Sequence, residues 1–261
     1  MRKSLLHKFD VFKGFDQVLT HGVSTREGGV SEGPFASLNL GLQVDDKEEN
    51  VRENYERFCG ALGVDIDKVC IAYQEHTDKV LVVRKEDVES GRLQIGLDNV
   101  FEGIDGFMTD VKGVPLMVRF ADCQGVLMFD PLKKVIAAVH SGWKGNVQNI
   151  IGKTVLKMVA EFGCEPSSLL VGISPSLGPC CAEFSDPYNE LPKFMHQYVK
   201  DGRVDLWQCS LDQLYEAGVS AEKIELSGRC TVCENDKFFS YRGGKKITGH
   251  MGGLVMLNND V

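Results

Sequence analysis

Three side chains in this sequence are of the types that hold a catalytic metal: His76, Cys123 and His140. The chain has only six histidines. His76 lies in Tyr73-Gln74-Glu75-His76-Thr77-Asp78, a polar interruption between two apolar runs, and is exposed to whatever faces it. Cys123 precedes one apolar run and His140 ends the next, where the small residues Ser141 and Gly142 follow. Two imidazoles and one thiolate make a three-ligand tetrahedral set with one open position, the arrangement of catalytic rather than structural zinc. The spacing matches no compact finger pattern, and other readings fit the same residues. His76 can be a surface histidine and Cys123 a small buried hydrophobe. Alternatively, Cys123 is a nucleophile activated by His140 as base, with Asp122 orienting a partner or holding an outer hydrogen bond.

The elements that must position these groups centre on residues 121–145. Apolar runs at 126–129 and 135–139 flank an Asp130-Pro131 turn signal and read as a pair of buried strands. The beginning of one strand then lies near the end of the other, which brings Cys123 and His140 to one sheet edge. Ser141, Gly142 and Gly145 leave room for a ligand and lead into a helix whose N-terminus favours an anion. Val147, Ile151, Val155, Met158 and Phe162 trace one face of that helix, predicted over 146–162 with Gly163 as its stop. A second helix is expected at about 47–62, with Val51, Tyr55, Phe58 and Leu62 at helical spacing, early acidic residues and Gly63 at its end. Further helices are expected near 187–200 and 210–217. Strands are expected at 104–109, 114–120, 169–173 and 253–257, with a strand-and-turn entry at 8–24 and a surface excursion at 84–103. No repeat, low-complexity tract or linker divides the chain, so residues 1–261 read as one domain.

Composition narrows the function classes. With 29 basic and 37 acidic residues the formal net charge is −8, and no long basic cluster occurs. Nucleic acid and anionic membrane surfaces are therefore not expected partners. An apolar share of 43% and a charged share of 25% are those of an ordinary soluble protein. No run could span a bilayer, and the opening ten residues lack the apolar core of a signal peptide. Nine cysteines, an odd number, suggest free thiols in a reducing cytoplasm. Two cysteine motifs, Cys180-Cys181 and Cys230-Thr231-Val232-Cys233, read as structural, because a lone CxxC is weak evidence and adjacent cysteines do not bridge easily. The loop at 24–31, rich in glycine and carrying Arg26, is either an anion cradle or a surface turn.

A resemblance covers the chain from about residue 20 to 255. Ser24-Thr25-Arg26 with Gly28-Gly29-Val30-Ser31, Ser37-Leu38-Asn39-Leu40-Gly41, Gln74-Glu75-His76, Ala121-Asp122-Cys123, His140-Ser141-Gly142-Trp143-Lys144-Gly145, and Arg229-Cys230-Thr231 through Phe239-Ser240-Tyr241-Arg242 stand in one family's order. That family is the multicopper polyphenol oxidase or laccase-like one, whose members are also described as purine nucleoside phosphorylases with adenosine deaminase activity. The resemblance implies an α/β (α+β) fold, with mixed β-sheets packed as a sandwich and helices on the outside. Its metal ligands fall on His76, Cys123 and His140, for zinc or copper. It implies a purine nucleoside and phosphate as partners, with phosphate held by Arg26, Lys144 or nearby amides. Asn39 and Gln74 become orienting groups for sugar or base, and Asp122 a proton carrier or outer anchor. The chain departs from the family pattern at Thr77 for glycine, and at Lys144, Gly243 and His250 where arginine is usual. Losing bidentate guanidinium groups bears on anion recognition more than on the metal set. Two rival activities are a copper-dependent polyphenol oxidase, for which no second copper cluster is visible, and a metal-free Cys–His hydrolase.

Overall fold

The computed structural model describes residues 5–259. Residues 1–4, part of the opening stretch read above for an export signal, lie outside the described residues. Two β-sheets face each other, and each carries a helix on its outer side. The larger sheet runs Ile224–Leu226, Leu170–Ile173, Gln124–Asp130, Val135–Ser141, Gly106–Thr109, Val80–Val82. Its two edge strands pair in parallel and its inner strands antiparallel, so it is mixed. The smaller sheet runs Leu6–His7, Leu19–Ser24, Met251–Leu257, Leu116–Phe120.

Alternation along the strands builds the layers. Leu127, Phe129, Ile136 and Ala138 point between the sheets, where they share a core with Val23, Val118, Phe120 and Val255. Val126, Met128, Ala137 and Val139 point the other way, against Ile151, Val155 and Met158 of the helix Ile150–Phe162. Both faces of these strands are buried, which is why they read as continuous apolar runs instead of alternating ones. On the far side of the smaller sheet, Met117 and Leu254 pack against Val51, Tyr55 and Phe58 of the helix Glu48–Leu62. The architecture is the sandwich with outer helices that the resemblance implies.

The central hairpin pairs Gly125 with His140 and Gln124 with Ser141. Asp130 closes its turn by accepting the backbone N–H groups of Leu132 and Lys133 at 2.8 and 2.9 Å. The helix Glu48–Leu62 starts with Glu48 and Glu49 and ends at Gly63, whose φ of 68° is the left-handed conformation that stops helices. The helix predicted over 146–162 is two helices, Trp143–Val147 and Ile150–Phe162. Between them Asn149 adopts φ 57° and its side chain accepts from the Gly152 N–H, a local bond that competes with the helical ladder. Residues 187–200 do not form one helix either. A short helix, Pro187–Glu190, gives way to a 3-10 segment, Lys193–Tyr198, and then to the strand Val199–Lys200. Pro192 forces Leu191 into extended backbone and breaks the run. The helix expected at 210–217 spans Leu206–Glu216, because Asp205 caps it by accepting the Gln208 N–H. The excursion at 84–103 holds a short helix, Lys85–Glu89, and a strand, Phe101–Glu102. All nine cysteines are free. Among the described residues, no helix is long and apolar enough to cross a membrane.

Candidate functional site

The hairpin delivers Cys123 and His140 to the same sheet edge, and the loop after Ala72–Tyr73 brings His76 to meet them. One ligand-type atom from each of the three lies within 4.8 Å of the others. Cys123 Sγ is 3.8 Å from His76 Nε2. The two imidazoles cross edge-on with centroids 4.9 Å apart. Gly142 completes the cradle by having no side chain: a Cβ there would lie 2.6 Å from Cys123 Sγ and 3.2 Å from His76 Cδ2.

Asp105, which the sequence did not single out, organises two of the three. It is fully buried and accepts the His140 Nδ1–H at 2.8 Å, leaving His140 Nε2 for the site. The same carboxylate accepts the backbone N–H groups of Glu75, His76 and Thr77 at 3.1, 3.0 and 2.8 Å, and the Thr77 hydroxyl at 2.9 Å. These bonds hold His76 at φ 59°, a left-handed conformation that costs a non-glycine residue about 1 kcal/mol or more. A carboxylate behind a ligating histidine fixes its tautomer and raises its basicity. Burial alone would raise the Asp105 pKa, but His140 and the Thr77 donors outweigh it and lower it. Burial would likewise raise the Cys123 thiol, yet the charge and hydrogen bonds of His140 and His76 bring it well below an ordinary thiol. Burial opposes the charge on His140, and Cys123 and Asp105 reverse that, so its imidazole is raised. The cluster favours a thiolate, which is the form that ligates metals.

The other residues nominated from the sequence divide. Asp122 adopts φ 85° beside Cys123 and accepts the hydroxyls of Thr231 and Ser240 at 2.6 Å each and the Arg242 N–H at 2.7 Å. With both carboxylate oxygens so engaged it anchors the turn carrying Cys123. Gln74 reaches the cavity, but its amide is paired with the backbone of Arg119 at both ends. Lys144 also lines the cavity, 5.7 Å from the Trp143 ring. Arg26 and Asn39 do not line it. Arg26 donates to the carbonyls of Ala36 and Asn235 and lies over the Phe239 ring, so it ties loops together. Asn39 is fully buried, donates to Asp46 and accepts the N–H groups of Gly41 and His250. Both residues therefore stand outside the cavity lining, with polar atoms engaged by the surrounding loops.

The cavity above the three ligands measures about 600 Å³. Phe120, Trp143, Leu177, Phe184, Leu206 and Tyr241 give it apolar walls, and Arg119, Lys144 and Arg242 bring positive charge. Trp143 meets Phe184 edge to face, centroids 6.2 Å apart. Arg119 and His250 were not assigned contacts from the sequence. Each has a buried ring or guanidinium nitrogen, Arg119 Nε and His250 Nδ1, without a protein hydrogen-bond partner. Burial, then Arg119 and His140, push His250 down to about 3, so it is neutral at pH 7. The departure at His250 thus replaces a cation with a neutral donor or acceptor.

The donor set fits a zinc-class ion: two imidazoles and a thiol of lowered pKa, one imidazole backed by a carboxylate, and a glycine that clears the space between them. Copper is compatible with the same donors. Among the described residues a second metal-competent group exists, formed by Cys180, Cys181, Cys230 and Cys233, which the sequence presented only as two unrelated halves.

Comparison with known proteins agrees with this architecture. Residues 20–258 match the family described as multi-copper polyphenol oxidoreductase laccase. The purine nucleoside phosphorylase YlmD of Geobacillus stearothermophilus is 33% identical over 241 residues, covering 88% of this chain and 87% of the relative. The protein of the same name from Bacillus subtilis is 31% identical over 243 residues, with 90% and 87% covered. The crystal structure of YlmD from Geobacillus stearothermophilus superposes with a TM-score of 0.85 at 29% identity, covering 98% of this chain and 100% of that one. Fold, motif order and extent of match agree, and the chain belongs to the multi-copper polyphenol oxidoreductase laccase family.

Proposed function

We propose that the protein is a metal-dependent purine nucleoside phosphorylase that acts on adenosine, inosine and related nucleosides with phosphate, and that it also deaminates adenosine. One observation carries the reading: His76, Cys123 and His140 converge at a cavity whose lining includes aromatic rings and the cationic side chains of Arg119, Lys144 and Arg242. Relatives bearing the name purine nucleoside phosphorylase support it.

The size and lining suit a nucleoside with an anion beside it. Trp143, Phe184 and Tyr241 offer faces and edges for a purine ring, and Arg119, Lys144 and Arg242 supply preorganised positive charge for phosphate. In phosphorolysis an oxygen of hydrogen phosphate bonds to C1′ of the ribose as the bond from C1′ to the purine nitrogen breaks, and the departing purine takes the proton that the phosphate gives up. The positive charge of Arg119 at the cavity lining would favour the negative charge of the attacking group. Neutral His250 adds a polar contact without adding charge. A zinc ion bound by His76, Cys123 and His140 would supply a Lewis acid and an acidified water, the chemistry that deamination at C6 requires. Asp105 keeps His140 Nδ1 protonated and its ring fixed, and Asp122 holds the turn that presents Cys123.

The family description and the two-histidine, one-cysteine donor set favour a second reading, a copper-dependent phenol oxidase. The four-cysteine group is poorly suited to complete such a centre, since it offers no imidazole. Incubating metal-loaded protein with adenosine or inosine, with and without phosphate, separates the readings. Free base and ribose 1-phosphate are expected only with phosphate, and inosine is expected from adenosine in either case. Absence of both products, together with phenol oxidation by copper-loaded protein, would reject the first reading.

A further inference from the structure

Four thiols that the site above does not use come together elsewhere. The Sγ atoms of Cys180, Cys181, Cys230 and Cys233 all lie within 4.8 Å of one another. Cys233 Sγ is 3.6 Å from Cys180 Sγ and 3.6 Å from Cys181 Sγ. Two turns bring them there. In the first, the N–H groups of Cys181 and Ala182 both donate to the Gly178 carbonyl, at 2.9 and 3.0 Å, which curls the backbone so that neighbouring cysteines face the same point. In the second, the Glu234 N–H donates to the Cys230 carbonyl at 2.9 Å and closes a turn over the CxxC. The turns are locked side by side, because Thr231 N–H donates to the Ser176 carbonyl at 3.0 Å and Ser176 N–H to the Arg229 carbonyl at 3.1 Å. The Gly178 N–H points at Cys230 Sγ from 3.4 Å, a bond that favours thiolate over thiol.

We propose that Cys180, Cys181, Cys230 and Cys233 bind one tetrahedral zinc-class ion, forming a closed structural site distinct from the His76–Cys123–His140 centre. Zinc–thiolate bonds of about 2.3 Å place sulfurs at the corners of a tetrahedron with edges of about 3.8 Å. The observed 3.6 Å separations are near that edge. They are far longer than the roughly 2.05 Å of a disulfide. An iron–sulfur cage would hold its cysteine sulfurs farther apart than 4.8 Å, so a single ion is the better fit. Four cysteines with no imidazole match the composition of structural rather than catalytic zinc.

The position gives the site a task. The first turn lies between Leu177 and Phe184, and the second lies in the segment that continues to Tyr241 and Arg242; all four residues line the cavity. Arg242 Nη1 already bridges the two, donating to the carbonyls of Cys181 and Glu183 at 3.0 and 2.6 Å. An ion shared by both turns would tie these two lining segments together and steady Thr231, whose hydroxyl bonds Asp122 beside Cys123.

The test begins with Cys123→Ala, which removes a ligand of the other centre, purified under reducing conditions without chelator. Mass-spectrometric metal analysis is expected to find about one zinc per chain, and zinc-edge X-ray absorption a shell of four sulfurs at about 2.3 Å. Adding Cys181→Ser and Cys233→Ser to that variant is expected to reduce the metal to background. A Cys123→Ala chain without metal, a shell containing nitrogen, or metal retained after the two further substitutions would overturn the proposal. If a variant fails to fold, the unmutated holoprotein decides the matter independently. Two zinc ions sharing five sulfur ligands support the second site, whereas one zinc with a single sulfur, or a Cys180–Cys233 disulfide in reduced protein, refutes it.

Discussion

The molecule holds two groups of metal-competent side chains, and they differ in construction. His76, Cys123 and His140 stand on strand ends and one loop, are backed by the carboxylate of Asp105, and open onto a cavity. Cys180, Cys181, Cys230 and Cys233 stand on two turns, are backed by backbone N–H groups, and use all four corners among themselves. Three mixed donors beside a cavity leave a direction for substrate, while four thiols leave none. The first arrangement suits chemistry and the second suits holding segments together. Donor count and surroundings decide between the two uses.

Paired substitutions offer the sharpest way to break this contrast. Cys123→Ala is expected to lower kcat by roughly a thousandfold or more, while the melting temperature moves by only a few degrees. Cys181→Ser is expected to do the reverse, lowering the melting temperature by about 5 °C or more while kcat stays within about tenfold. If both variants lose activity and stability alike, the division of labour is wrong.

Asp105→Asn ranks next. It keeps the shape but loses the charge behind His140, and metal affinity or activity should fall by about 10- to 100-fold, measured by chelator competition and turnover. An unchanged metal dissociation constant would remove Asp105 from the scheme. Gly142→Ala should cost about tenfold in kcat/KM, since the new Cβ would lie 2.6 Å from Cys123 Sγ and displace it. The smallest effect concerns the turn that carries the CxxC. Arg229's hydrogen bond holds Glu234 down to about 2, with help from Lys237. A depressed carboxylate stabilises the fold above its unfolded value of 4.5 and loses that contribution as pH falls toward 2. Discounted for solvent screening at a partly exposed pair, the contribution is about 1 kcal/mol. Glu234→Gln should therefore melt about 2–4 °C below the parent at pH 7 and level with it near pH 2.

The parts legible in the sequence were those that local pattern controls. Two apolar runs around Asp130-Pro131 gave the hairpin, and the hairpin placed Cys123 near His140. Long helical periodicity gave Glu48–Leu62 with its glycine stop. The same periodicity concealed the break at Asn149, because the apolar spacing runs on from Val147 to Ile151 across one left-handed residue. Arg26 and Asn39 had the chemistry of ligand-binding groups, but loops too distant in sequence to foresee took up their hydrogen bonds. Asp105 was missed for the opposite reason. In Ile104-Asp105-Gly106 it resembles any aspartate at a strand start, and only tertiary contacts reveal five backbone and side-chain donors converging on it. The four-thiol group was divided between positions 180 and 233, so neither half announced the other.

Because Asp105 grips both the loop at His76 and the ring of His140, the two imidazoles hang from a single peg. A shift of that peg carries both in the same direction and leaves the gap between them nearly constant. Cys123, hung separately beside Asp122, is the member of the three whose position is set independently of that peg.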